Sequence, residues 1–147
     1  MKFNHVAISV SNLERTIGFY RDIFGLEPLI DPFPFGGKDF EDIMALPGVQ
    51  GRMTMIGNGS VQLELFEFSN PSPKAKDPHY PVSDRGYTHF GFDVDDIEAV
   101  YQRLKAAGAP IHSPIITFTG GGIRAIYARD PDGNVFEAMQ AGEPAAG

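Results

Sequence analysis

The chain has 147 residues, no cysteine and a formal net charge of −7. That length suits one compact domain or two closely packed halves, and the acidic balance excludes the basic stripe nucleic acid requires. The missing cysteines exclude a disulfide scaffold, a thiolate nucleophile and Cys-ligated zinc; no segment has the length and apolarity of a membrane span and the N-terminus lacks a secretory pattern, so a cytoplasmic location is expected.

Residues 3–10 alternate small or polar with large apolar side chains and predict a strand. Val6, Ile8 and Val10 share one face, and His5, Ala7 and Ser9 the other. Ser11 and Glu14 then form a capping box, and Leu13, Ile17, Tyr20 and Phe24 give the following helix its buried side. Gly25 stops it, and Leu26–Ile30 reads as the next strand.

Asp31 to Gly37 reads as a loop, and Lys38 to Leu46 as a short helix ended by Pro47-Gly48. Phe33, Phe35 and Phe40 either plug this insertion onto the core or wall a pocket for an apolar part of a substrate. Val49–Ile56 and Ser60–Phe68 predict two strands joined by the hairpin signal Gly57-Asn58-Gly59. Residues 69–88 carry Pro71, Pro73, Pro78 and Pro81 and read as a linker, with His79 solvated in it.

The pattern then begins again. His89-Phe90-Gly91-Phe92-Asp93-Val94 repeats the alternation of His5 to Val10 at a shift of 84 residues, 89 minus 5. Asp95 and Glu98 repeat the cap, and Ile97, Val100, Tyr101 and Leu104 repeat the buried stripe, with Gly108 as the stop. A long repeat seen only twice indicates two copies of one module rather than a solenoid. His112 has no counterpart and reads as structural. Ile115–Phe118 predicts a strand, Gly120-Gly121-Gly122 a mobile turn, and Ile123–Arg129 and Asn134–Gln140 a hairpin closed by Asp130-Pro131-Asp132-Gly133. Arg124 enters that hairpin either as a surface residue or as an anchor for an anionic substrate group. The tail from Ala141 reads as frayed.

Both modules end in a strand bearing one carboxylate among apolar residues, Glu64 in the first and Glu137 in the second. A carboxylate there needs a partner, because burying it unpaired is costly. A divalent cation held by His5, Glu64, His89 and Glu137 satisfies all four at once. The other reading leaves them on separate solvated faces, or pairs each Glu with Arg52 or Arg124.

The chain resembles the vicinal oxygen chelate superfamily, which contains glyoxalases, bleomycin-resistance proteins and extradiol dioxygenases. The likeness rests on His5 with Ser11 to Arg15, Phe19 to Leu26, Val61 to Phe66, His89 to Asp96, and Ala128 to Glu137, together spanning residues 3 to 140. It implies an α+β fold, with paired βαβββ modules forming a curved mixed sheet around a metal cleft. A single glyoxalase-like domain over 1–140 would comprise modules 3–68 and 87–140 with a linker at 69–86, followed by a flexible tail at 141–147 and usually in a homodimer. The resemblance makes His5, Glu64, His89 and Glu137 the ligands of one divalent ion (Zn, Ni, Co, Mn or Fe(II)). It makes Glu137 and Glu64 candidates for proton transfer.

The implied function is a metal-dependent isomerase or lyase that chelates vicinal oxygens of a small substrate and stabilises an enediolate. An Fe(II) ring-cleaving dioxygenase and a non-catalytic resistance-type binding protein are the alternatives. Arg124, Phe33, Phe35 and Phe40 would contact the substrate.

Overall fold

A computed structural model describes residues 1–120 and 122–142. Gly121 of the expected glycine turn and residues 143–147 of the expected tail lie outside the described residues. The chain divides into two compact units, Met1–Ala75 and Lys76–Gly147, with the boundary inside the proline-bearing segment.

The first unit runs β1 (Val6–Ser9), α1 (Leu13–Phe24), β2 (Glu27–Gly36), α2 (Lys38–Met44), β3 (Gln50–Gly57) and β4 (Gln62–Asn70). Its four strands form one mixed sheet in the order β1-β4-β3-β2, with β1 and β4 parallel and the other pairs antiparallel. The second unit runs β5 (Phe90–Asp93), α3 (Ile97–Ala106), β6 (Ile116–Thr117), β7 (Arg124–Arg129) and β8 (Val135–Gln140). Its sheet has the corresponding order β5-β8-β7-β6, with β5 and β8 parallel. The α+β class implied by the resemblance holds, and each unit owns a four-stranded sheet. Among the described residues, no helix is long and apolar enough to cross a membrane.

Alternation assigns the two faces of each sheet. In the first unit Leu63, Leu65, Ile56 and Thr54 are fully buried on the face whose Glu67 side chain meets the start of α1. Helix α1 buries Leu13, Thr16, Ile17, Tyr20 and Ile23; Ile23, rather than the expected Phe24, completes the stripe. Gly25 ends the helix at φ 70°, a left-handed conformation open to a residue without Cβ, and its N–H reaches Arg21 O at 2.8 Å. In the second unit Ile97, Val100 and Leu104 of α3 are buried in the same way.

Three local expectations are corrected. The helix caps lie one residue later than expected: Asn12 accepts from Arg15 N and Asp96 from Ala99 N, both through their Oδ1 atoms. Asn and Asp are at least as good caps as Ser, so each capping-box reading was one position early. The segment 31–36 is not a loop but the second half of β2. Pro28, Pro32 and Pro34 are tolerated there because β2 is an edge strand, where missing N–H donors need not break a ladder, and its register slips twice. The segment 76–84 is also less free than a linker. Tyr80 is buried, its carbonyl accepts from Arg129 Nη2 at 2.6 Å, and its ring lies under Lys76 and Arg129. His79 is exposed, as expected.

Candidate metal centre

In the first unit the parallel register sets Ala7 beside Glu64. His5, two residues before Ala7, therefore shares a face with Glu64, and His5 Nε2 lies 3.2 Å from Glu64 Oε2. The second unit repeats the device. Gly91 pairs with Glu137, and His89 Nε2 lies 3.3 Å from Glu137 Oε2. The residues beside the carboxylates are small: at Gly91 an added Cβ would stand in ordinary contact with Glu137 Oε2, 3.6 Å away. Ala7 and Ser9 on the first unit's face are likewise small and exposed.

Each imidazole is held from its far side by the residue before it. His5 Nδ1 meets Asn4 Oδ1 at 2.6 Å, and His89 Nδ1 meets Thr88 Oγ1 at 2.9 Å. Against the Asn4 amide oxygen, Nδ1 of His5 is the donor, so in the neutral ring the Nε2 lone pair is aimed at the carboxylate. A neutral ring facing a carboxylate in this way presents two acceptors to one cation, a proton or a metal ion. Two ligand atoms about 2.0–2.2 Å from a common divalent ion stand roughly 3.0–3.4 Å apart for angles between square and tetrahedral, so both His–Glu separations fit an ion. Among the described residues no group of three or more His, Cys, Asp or Glu comes together to hold a metal ion; what the structure brings together is one His–Glu pair in each unit. Each module supplies half of the expected donor set.

The two arginines named as rival partners are engaged elsewhere. Arg52 pairs with Glu14 and Arg124 with Glu98. Arg52 also sits opposite Glu67, on the face of the sheet away from Glu64. Glu14 is held below its ordinary carboxylate value chiefly by the hydrogen bond from Arg52, and that partnership leaves Glu64 and Glu137 to the histidines. Arg124, expected to meet substrate, is already bound by Glu98. Of the three phenylalanines, Phe35 is buried in a cluster with Val49 and Met53, and Phe40, Phe66 and Phe68 pack against it. Phe33 lies at the edge of the sheet, 36 % exposed.

Tyr127 belongs beside this centre and was not singled out in the sequence. It stands opposite Glu137 in the β7–β8 register, its ring centroid is 4.6 Å from that of His89, and its hydroxyl is 3.4 Å from His89 Nε2. Burial, and then the charge of Glu137, push its phenol above the ordinary value, so it remains a protonated donor at neutral pH. The signal that could have found it is the tight turn. Asp130 Oδ1 accepts from the N–H groups of Asp132 and Asn134. Gly133, at φ 84°, has no room for a Cβ against Pro78. A turn so defined fixes which β7 residue faces Glu137.

Known proteins carry related chains. A lactoylglutathione lyase of Arabidopsis thaliana, GLX1, is 26 % identical over 141 residues, covering 96 % of this chain but 44 % of its own length. The chain thus spans less than half of that relative. The metallothiol transferase FosB of Shouchella clausii is 28 % identical over 136 residues, covering 91 % of this chain and 76 % of its own. Among solved structures, a glyoxalase family protein from Bacillus cereus superposes with a TM-score of 0.87 at 23 % identity, covering 96 % of this chain and 94 % of its own, and so shares the fold. The family model described as Glyoxalase/Bleomycin resistance protein/Dioxygenase superfamily matches residues 2–138, and the chain belongs to that superfamily.

Proposed function

We propose that His5, Glu64, His89 and Glu137 together hold one divalent metal ion, and that the protein is a metal-dependent isomerase or lyase acting on a small substrate with vicinal oxygens. The observation that carries this reading is the twin arrangement of an Nε2 facing an Oε2 at 3.2 and 3.3 Å, each ring fixed through Nδ1. Relatives named as lactoylglutathione lyases and a 2-epi-5-epi-valiolone epimerase of Actinomyces support it. Two imidazoles and two carboxylates suit Zn, Ni, Co, Mn or Fe(II). Such an ion, when bound, supplies Lewis-acid stabilisation of the oxygens of an enediolate.

The chain's own residues do the rest. Glu137 is the base that takes the proton from the carbon next to the carbonyl and returns it, with Glu64 the corresponding group in the other half. The Tyr127 hydroxyl, beside His89 Nε2, donates to an oxygen that gains negative charge. The small residues Ala7, Ser9 and Gly91 leave the space over the strands in which a substrate lies.

Metal analysis of protein purified without added metal tests the first half of this reading. Near-stoichiometric metal that falls in His5→Ala and in His89→Ala supports it; a metal-free protein that still binds small molecules favours a resistance-type binder. Deuterium exchange at a carbon next to a carbonyl tests the second half. Glu137→Gln should retain ligand binding and lose exchange, whereas full exchange removes Glu137 as the base. Oxygen uptake with catechols would instead favour the ring-cleaving reading.

A further inference from the structure

The face of the first sheet that bears Glu64 continues sideways as apolar surface. Register places Ile30, Met55, Glu64 and Ala7 in one cross-strand row, and Phe33, Met53, Phe66 and Ser9 in the next. Directly opposed residues point to the same side, so Met55 and Phe66 flank Glu64. The third row is closed, since Phe35 and Phe68 are packed with Phe40 under α2. The first row is open, with Ile30 51 % exposed and Met55 half-buried; in the second, Met53 is buried with Phe35 and Phe66 packs against that cluster, leaving Phe33 36 % exposed at the edge. The stacking of Phe66 on Phe68 and its edge contact with Phe35 hold that floor rigid.

Charge distinguishes this lane from the rest of the unit. No Lys or Arg belongs to either row. Arg52 projects to the other face and pairs with Glu14, and Lys38 is paired with Asp42. Within these two rows a substrate tail lying along Met55 and Ile30 meets no Lys or Arg, and an anionic carrier group gains no ion pair from them.

We propose that this lane binds an uncharged apolar substituent of the substrate, with Met55 and Ile30 as its specificity-determining residues. The substrate class is then a vicinal-oxygen compound bearing an alkyl or aryl group, rather than one attached to an anionic carrier. This rests on the proposed metal site, because the oxygens are taken to be fixed beside Glu64. Unbranched Met55 is suited to adapt its shape to such a group.

The test uses the full chain loaded with Zn(II) and three bidentate chelators followed by calorimetry: acetohydroxamate, phenylacetohydroxamate, and a hydroxamate ending in a carboxylate. The phenyl compound should bind about tenfold or more tighter than acetohydroxamate, the gain expected for burying a ring's apolar area, and the carboxylate compound no tighter than acetohydroxamate. In Met55→Gln and in Ile30→Gln, both at positions outside the fully buried core, the ratio of phenyl to methyl affinities should fall towards one. Equal affinities in the unchanged protein, a preference for the carboxylate compound, or a phenyl preference that survives both substitutions would overturn the lane. Failure of all three chelators to bind would overturn the metal reading, and the lane with it.

Discussion

Asn4 grips His5 at Nδ1, 2.6 Å away, on the opposite side of the ring from Glu64. Thr88 does the same for His89 at 2.9 Å, and the two residues stand 84 apart, 88 minus 4. Groups that orient a ligating imidazole through its second nitrogen contribute to metal affinity without touching the ion. Asn4→Ala and Thr88→Val should each weaken metal binding by about 10- to 100-fold. Both contacts are exposed, so the melting temperature without metal should stay where it is. Competition against a chromophoric chelator measures the affinity, and an unchanged value in both variants would remove the orienting role.

A second duplicated contact ties each helix to its sheet. Glu67 Oε2 accepts the Leu13 N–H at 2.6 Å, and Gln140 Oε1 accepts the Ile97 N–H at 3.1 Å. Leu13 and Ile97 are fully buried, so without these side chains their amides, among the unpaired donors of a helix start, lack a partner. Glu67→Ala should cost about 1–2 kcal/mol in urea unfolding. Glu67→Gln should cost less, since an amide oxygen fills the same role in the second unit. An equal loss for Gln and Ala would show that the charge, and not the bond, is what matters.

These paired devices show why so much could be read from residues alone. A strand pattern fixes faces, and a repeat of 84 residues at His5 and His89, with Glu64 and Glu137 inside the last strand of each module, fixes which side chains share them. What alternation alone does not carry is register; it is the tight turn after Arg129 that sets Tyr127 opposite Glu137. The prolines of β2 read as a loop because an edge strand, which tolerates them, has the same composition as a turn. Composition alone does not separate Asn12 and Asp96 from Ser11 and Asp95 as caps, because two neighbouring residues can each cap and only backbone angles decide between them.

The insertion offers a sharper contrast. Phe35 is 5 % exposed and meets Phe40, Phe66 and Phe68 with ring centroids 5.1–5.5 Å apart, whereas Phe33 lies on the open edge. Phe35→Ala should therefore destabilise the protein by about 3–5 kcal/mol, and Phe33→Ala by less than about 1 kcal/mol. Chemical denaturation of both variants checks the difference. Comparable losses would mean that Phe33 is packed as tightly as its neighbour.

His112 gives a pH dependence whose sign can be worked out. Its pKa is lowered from the ordinary 6.5, first by burial and then by the positive charge of Arg129, while its backbone N–H is tied to Tyr127 O at 2.9 Å. The folded protein thus prefers the neutral imidazole, and the unfolded chain takes up a proton more readily. Stability rises with pH wherever the unfolded state binds more protons. The contribution of His112 is therefore complete above 6.5 and is lost as pH falls from there through the lower folded value. Comparing His112→Asn with the unchanged protein cancels the other titrating groups. Unfolding free energies followed from pH 8 down to pH 5 should fall faster for the unchanged protein, the gap narrowing towards the acid end. Parallel curves would mean that the ring is as readily protonated folded as unfolded, and that neither its burial nor Arg129 reaches it.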